Sequence, residues 1–239
     1  PGGDGRPDPA SEVVLFHQED PGPNHNAGCL AFGPDGYLYL SVGDGSLWSN
    51  RVTQRLDAGF FGGILRLDVD RKPGNLPPNP GFGVNPNAYS VPADNPFVHS
   101  SDPLARREIW AYGFRNPHRM CWDLSFGKRL IVVDIGEANV EEINLIEKGG
   151  DYGWNQLEGS NRVDVMRDAK VVRPATAAEL ADTLPAPVAC VTAFAQCVSR
   201  ATASTRKHTQ THANTRACVF FCGGGGLCSQ QSLAPPAQK

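Results

Sequence analysis

An all-β fold is predicted for this chain by three observations. Short segments of alternating apolar residues recur at spacings of about ten residues, Gly or Pro turns separate them, and no stretch carries the spacing of an amphipathic helix. The 239 residues include 26 Gly and 20 Pro, as an architecture with many turns requires. A sandwich, a barrel or a propeller would each satisfy that spacing.

Taken in order, residues 1–11 are rich in Gly, Pro and Asp and read as a flexible lead. Val13–Phe16 has the makings of a short strand, and Asp20-Pro-Gly-Pro-Asn24 breaks the chain after it. A hairpin follows. Leu30 and Phe32 alternate on its first arm, Tyr37 to Val42 form a β-prone second arm, and Gly33-Pro-Asp-Gly36 between them presets φ at Pro and supplies φ > 0 at Gly. Arms of equal length return the chain to its starting edge, so His25 and Asp44 are expected to meet at the open end. A carboxylate beside an imidazole fixes its tautomer and raises its basicity. The pair therefore reads as a general base with its orienting acid; the plainer alternative is a hydrogen-bonded surface histidine.

Beyond the hairpin, Ile64–Val69 alternates as a strand and ends in the charged turn Asp70-Arg-Lys-Pro-Gly74. From there to Pro103 nearly every third residue is Pro, Asn or Gly, which predicts a long ordered loop. Strands resume at Ile109–Tyr112, Met120–Leu124, Leu130–Asp134 and Glu141–Ile146. After Val163 the character changes to Ala, Thr and Pro, then Thr, Ala and His, then the glycine run Gly223–Gly226. Such a segment has too little apolar surface to offset its ordering entropy. Residues 164–239 are accordingly expected to be a low-complexity, disordered tail, with a weak helix near Thr176–Leu184. His208, His212, Cys218 and Cys222 have the residue types of a zinc site, but their order is reversed from a finger and no ββα pattern flanks them.

Charge divides with composition. Residues 1–164 hold 14 Lys and Arg against 22 Asp and Glu, whereas residues 165–239 hold 8 against 3. An acidic body argues against nucleic acid as its partner and suits a cation site. No apolar run approaches the roughly 20 residues that span a bilayer, and no signal-like stretch follows Pro1, so the chain reads as a fragment or a processed product. Of seven cysteines only Cys29 and Cys121 lie in the body; they read as two buried thiols rather than a disulfide.

Six ordered segments carry a family resemblance. They are His25-Asn-Ala-Gly with Phe32-Gly-Pro-Asp-Gly-Tyr-Leu-Tyr and Val42-Gly-Asp44; Gly63-Ile-Leu-Arg-Leu-Asp68; Val91-Pro-Ala-Asp-Asn-Pro-Phe97; Tyr112-Gly-Phe-Arg-Asn-Pro117; Asp134-Ile-Gly-Glu137; and Glu141-Glu-Ile-Asn-Leu-Ile-Glu-Lys-Gly-Gly-Asp-Tyr-Gly-Trp154. Together they resemble the glucose/sorbosone dehydrogenase family over residues 12–163, and within it the hedgehog-interacting-protein-like branch. The resemblance implies a six-bladed β-propeller, of which this chain would supply roughly half the blades, binding pyrroloquinoline quinone (PQQ) and calcium and oxidising a small sugar. The family's catalytic histidine falls on His25, where it would take the proton of a sugar hydroxyl as hydride leaves for the quinone, and its partnering aspartate falls on Asp44. The quinone-contacting pair falls on Arg115 and Asn116. The calcium beneath the quinone would be held by the carbonyls of Gly136 and Glu137, and a structural calcium by Glu142 and the carbonyl of Tyr152. An extracellular or periplasmic setting is implied in the same way.

Each of these residues has a plainer role. Glu141, Glu142 and Glu147 would serve as a solvated acidic edge, Arg115 as an ion-pair partner of Asp123 or Asp134, and Trp110, Tyr112 and Trp154 as packing between blades. The basic residues that clamp the quinone's carboxylates in the family's later blades have no recognisable counterpart here, so the isolated chain is expected to bind quinone poorly. The alternative functions are a non-catalytic propeller that recognises a protein ligand, and an inactive fragment.

Overall fold

The Gly33–Gly36 turn closes as its residues dictate in the computed structural model, with the Gly36 N–H donating to the Gly33 carbonyl at 2.9 Å. The structure describes residues 9–20, 22–46, 52–125, 127–164 and 170–181. The chain divides into two units, Pro1–Cys197 and Val198–Lys239, and every described residue lies in the first. The His208, His212, Cys218 and Cys222 set and the tail from residue 182 onward fall outside the described residues.

Three antiparallel meanders follow one another. Strands β1 (Leu30–Phe32), β2 (Leu38–Val42), β3 (Gly63–Leu67) and β4 (Ile109–Tyr112) form the first, in chain order. The second holds β5 (Pro117–Asp123), β6 (Arg129–Asp134) and β7 (Glu142–Ile146), and the third β8 (Leu157–Glu158), β9 (Asn161–Asp164) and β10 (Lys170–Pro174). Sheets of this kind, each made of strands consecutive in sequence, are the blades of a propeller; the fold is all-β, a partial β-propeller. A short helix α1 (Ala177–Ala181) closes the described chain. Thr176 Oγ1 accepts the Glu179 N–H while the Glu179 carboxylate accepts the Thr176 N–H, the reciprocal cap that starts a helix. No helix among the described residues is long and apolar enough to cross a membrane.

Strand β3 is buried along its whole length because both its faces are covered. On one face Tyr39, Ile64 and Ala111 meet Met120, Leu130, Val132 and Ile146 of the second sheet, with Phe114 and Tyr152 between. On the other, Leu65, Leu67 and Ile109 are roofed by Phe60 and by Tyr89, Val91 and Val98 of the long loop. That loop has neither helix nor strand, and isolated bridges pair Asp68 with Ser90 and Leu76 with Val91.

Asp68, 1% exposed, anchors the loop. Its carboxylate accepts the N–H groups of Asp70 and Lys72, the Asn75 amide and the Ser90 hydroxyl at 2.5 to 3.1 Å. Burial raises the carboxyl's pKa, but these donors outweigh it and hold the group below the usual carboxylate range. A carboxyl depressed on folding contributes stability above its unfolded pKa of about 4 and loses that contribution as pH falls through the lower folded value. The Asp68→Ala variant is expected to lose about 2–3 kcal/mol in denaturant unfolding at neutral pH, and the gap from the native chain narrows in acid.

Three details differ from the sequence reading. Val13–Phe16 forms no strand; Leu15 and Phe16 pack instead on the second cluster, and the following His17 N–H donates to the Gly83 carbonyl. Strand β10, Lys170–Pro174, stands within the stretch 164–239 read as a disordered tail, because it pairs with β9. Cys121 is exposed and Cys29 half-buried, and neither is in a disulfide.

Candidate functional site

His25 precedes β1 and Asp44 follows β2, and the hairpin register Leu30↔Leu40, Phe32↔Leu38 brings them together. His25 Nδ1 lies 2.7 Å from Asp44 Oδ1. The histidine backbone is left-handed, φ +61°, and its carbonyl lies against Gly43, where an added Cβ would sit 1.7 Å from the oxygen. A Gly43→Ala chain is expected to push the His25 loop off its seat at about 1–3 kcal/mol, read as a lowered Tm. Asn116, in the connection between β4 and β5, holds the same loop, its Oδ1 accepting the Ala27 N–H at 3.0 Å.

Asp44 is fully buried and fully used. Oδ1 also accepts the Ser46 N–H at 2.8 Å, and Oδ2 accepts the Trp154 indole N–H at 2.8 Å. Trp154 reaches it because the Gly149–Trp154 segment is laced to β4, with Tyr112 donating to Gly150 O, Tyr152 to Tyr112 O and Trp154 to Gly113 O.

Arg115 and Asn116 lie between β4 and β5, and Arg115 Nη2 stands 2.8 Å from His25 Nε2. A guanidinium only donates, so Nε2 is the acceptor and the imidazole proton sits on Nδ1, given to Asp44. The ring thus carries its lone pair on the side away from the aspartate, the tautomer a general base needs. Arg115 Nη2 also pairs with the Glu137 carboxylate, and Nη1 donates to the Ile135 carbonyl at 3.1 Å.

Beneath lies Asp134, whose two oxygens accept the backbone N–H groups of Arg115 and Asn116 at 2.9 and 2.6 Å. Burial, then the charge of its cross-strand neighbour Glu142, and that of Asp44 push its carboxyl well above the usual range against those two donors. The sequence alternatives resolve accordingly. Arg115 meets Asp134 through its main chain and Glu137 through its side chain, whereas Asp123 pairs with Arg129. Glu141 and Glu147 are exposed and Glu142 is buried.

Gly136 and Glu137 line a pocket of about 240 Å³ with Ala138, Asn139, Val140 and Glu141. Its wall is fixed by Glu158, one oxygen of which accepts the N–H groups of Glu137, Ala138, Asn139 and Val140 at 2.8 to 3.2 Å. At Glu142, burial raises the carboxyl's pKa against the Gly159 N–H and the Asn144 amide, with the charges of Glu158 and Glu141 adding to the rise. Asn144, 1% exposed, leaves its Oδ1 without a partner among the described residues. Among the described residues no three His, Cys, Asp or Glu side chains converge as metal ligands, so a hard cation here would have to draw on carbonyl and amide oxygens. Tyr152 presents its ring to Phe114, stacked at 4.6 Å, and its hydroxyl to the Leu145 carbonyl.

Sequence reasoning missed the Trp154 indole, the Glu137 side chain and Glu158, and named Asp134 only as an ion-pair partner for Arg115. The alternation of β6 marked Asp134 as an inward residue at a strand end, and no local pattern marked the other three.

A family model described as Glucose / Sorbosone dehydrogenase matches residues 9–182. HIPL1 protein of Arabidopsis thaliana is 41% identical over 146 residues, 61% of this chain and 20% of that protein. Aldose sugar dehydrogenase YliI of Escherichia coli (strain K12) is 34% identical over 131 residues, 55% of this chain and 29% of that one. Quinoprotein glucose dehydrogenase B of Acinetobacter calcoaceticus is 28% identical over 152 residues, 57% of this chain and 27% of that one. The chain spans less than a third of the length of each of these relatives.

Proposed function

This chain belongs to the glucose/sorbosone dehydrogenase family, and on that premise we propose that it oxidises a CH–OH group of a sugar, with His25 as the general base. The observation that carries the reading is the chain of contacts Trp154–Asp44–His25, which holds the imidazole proton on Nδ1 and turns the Nε2 lone pair toward Arg115. His25 Nε2 takes the proton of the sugar hydroxyl, and buried Asp44 stabilises the imidazolium that results. Pyrroloquinoline quinone, when bound, supplies the two-electron acceptor. Arg115 and Asn116 would offer it a cation and an amide, groups able to stabilise negative charge on an oxygen. The carbonyls of Gly136 and Glu137 would hold a calcium ion beside it, and Glu142 with the Tyr152 carbonyl a second; oxygen donors of this kind are what calcium takes. The names of the relatives, an aldose sugar dehydrogenase and a quinoprotein, support both the substrate class and the cofactor.

Dye-linked oxidation of aldoses by a full-length protein that carries the remaining blades, with the quinone and calcium present, tests the reading, and a His25→Ala version is run beside it. Abolished dye reduction in the variant, with quinone binding retained, is the expected result. Equal rates in the two would remove the enzyme reading and leave a propeller that recognises a ligand without chemistry.

A further inference from the structure

Arg115 occupies an unusual position for a residue proposed to contact a bound quinone. Its Nη2 stands on the lone pair of His25, the atom that must be free to accept a proton. Its Nε, in a side chain only 9% exposed, is buried with no acceptor among the described residues. The guanidinium is therefore not at its best-satisfied place, and an arriving anionic oxygen would give it more than the imidazole does. What keeps it there is the Glu137 carboxylate, which shares Nη2 with His25, together with the Ile135 carbonyl on Nη1. Glu137 is built to move. Its side chain is 32% exposed, while its backbone N–H is pinned by Glu158 at 2.8 Å. The carboxylate can swing into water and leave the loop in place.

We propose that Glu137 is a positioning residue that holds the Arg115 guanidinium over Nε2 of His25, capping the base until a ligand with an anionic oxygen draws the arginine aside. The inference rests on the reading of His25 as base and adds how that base is kept covered. A neutral imidazole nitrogen is acylated by diethyl pyrocarbonate only when its lone pair is reachable, which makes the cap measurable without turnover.

The ligand-free native chain is compared with Glu137→Gln and Arg115→Ala chains at one fixed, mildly alkaline pH. The rate of acylation at His25 is followed by peptide mass spectrometry, and His17, His99 and His118 serve as internal references. Expected is a roughly tenfold faster reaction at His25 in the Glu137→Gln chain, the weight of one charge-assisted contact, approaching the Arg115→Ala rate. The reference histidines keep their native rates, which a merely loosened fold would not allow. A native rate at His25 in Glu137→Gln overturns the proposal, as does no rise in Arg115→Ala or a rise shared by all four histidines. Sugar oxidation is not read here, so a failed cap leaves the base assignment to the His25→Ala assay, and failure of that assay leaves the acylation result standing.

Discussion

An Asp44→Asn chain is expected to lose sugar-dependent dye reduction by about 10²- to 10⁴-fold, the range a general base and its orienting group contribute. The amide fits the space but not the donors. Oδ1 receives both the His25 Nδ1–H and the Ser46 N–H, and Oδ2 receives the Trp154 indole N–H. If the amide oxygen stays toward His25, its NH₂ faces the indole donor. If it turns, NH₂ faces the Ser46 N–H and drives the imidazole proton onto Nε2, against Arg115. Either way one buried donor meets another, at a cost of about 1–3 kcal/mol in stability. A second change separates the two effects. Trp154→Phe removes the indole donor, so the double variant should recover much of the lost Tm and none of the rate. Recovery of the rate together with Tm would show that Asp44 acts only as a packing group.

The largest stability effect is expected at Phe114. It is completely buried, lies between the first two sheets and stacks on Tyr152 with ring centroids 4.6 Å apart and 18° between planes. Truncation to Ala leaves a cavity between sheets that cannot collapse without moving both, and should cost about 3–5 kcal/mol in denaturant unfolding. Phe32→Ser is the contrast, because the same ring lost from a site 62% exposed should change stability by no more than about 0.5 kcal/mol. Comparable losses at the two positions would mean that the core is not where the sheets place it.

That contrast also shows what a linear reading can reach. The hairpin was legible because Pro34 and Gly36 determine the turn, and the turn determines which residues meet at the open end. Alternation along β1 was equally visible, yet it could not say which set faces inward. Ala31 packs on the core and Leu30 and Phe32 do not, because the sheet that covers β1 lies on the alanine side. Strands β8 to β10 went unread because they are short and carry polar residues such as Glu158, Asn161 and Arg162, with no turn chemistry as marked as that of Gly33–Gly36. At the site, His25, Asp44, Arg115 and Asn116 could be named from local words and from the resemblance. The Trp154 contact spans 110 residues and depends on how the Gly149–Trp154 segment docks on β4. The Glu137 contact depends on a side chain whose neighbours in sequence suggested only a carbonyl donor.

The four amides gathered on one oxygen of Glu158 bear on how the adjoining pocket would take up a ligand. A loop left to itself must be frozen by whatever it binds, and that entropic penalty is subtracted from affinity. Here the freezing is completed during folding, by a carboxylate of the same chain. A guest at Gly136 and Glu137 would enter a preorganised mould, and a change at residue 158 would be felt as weaker binding at a distance from any atom the guest touches.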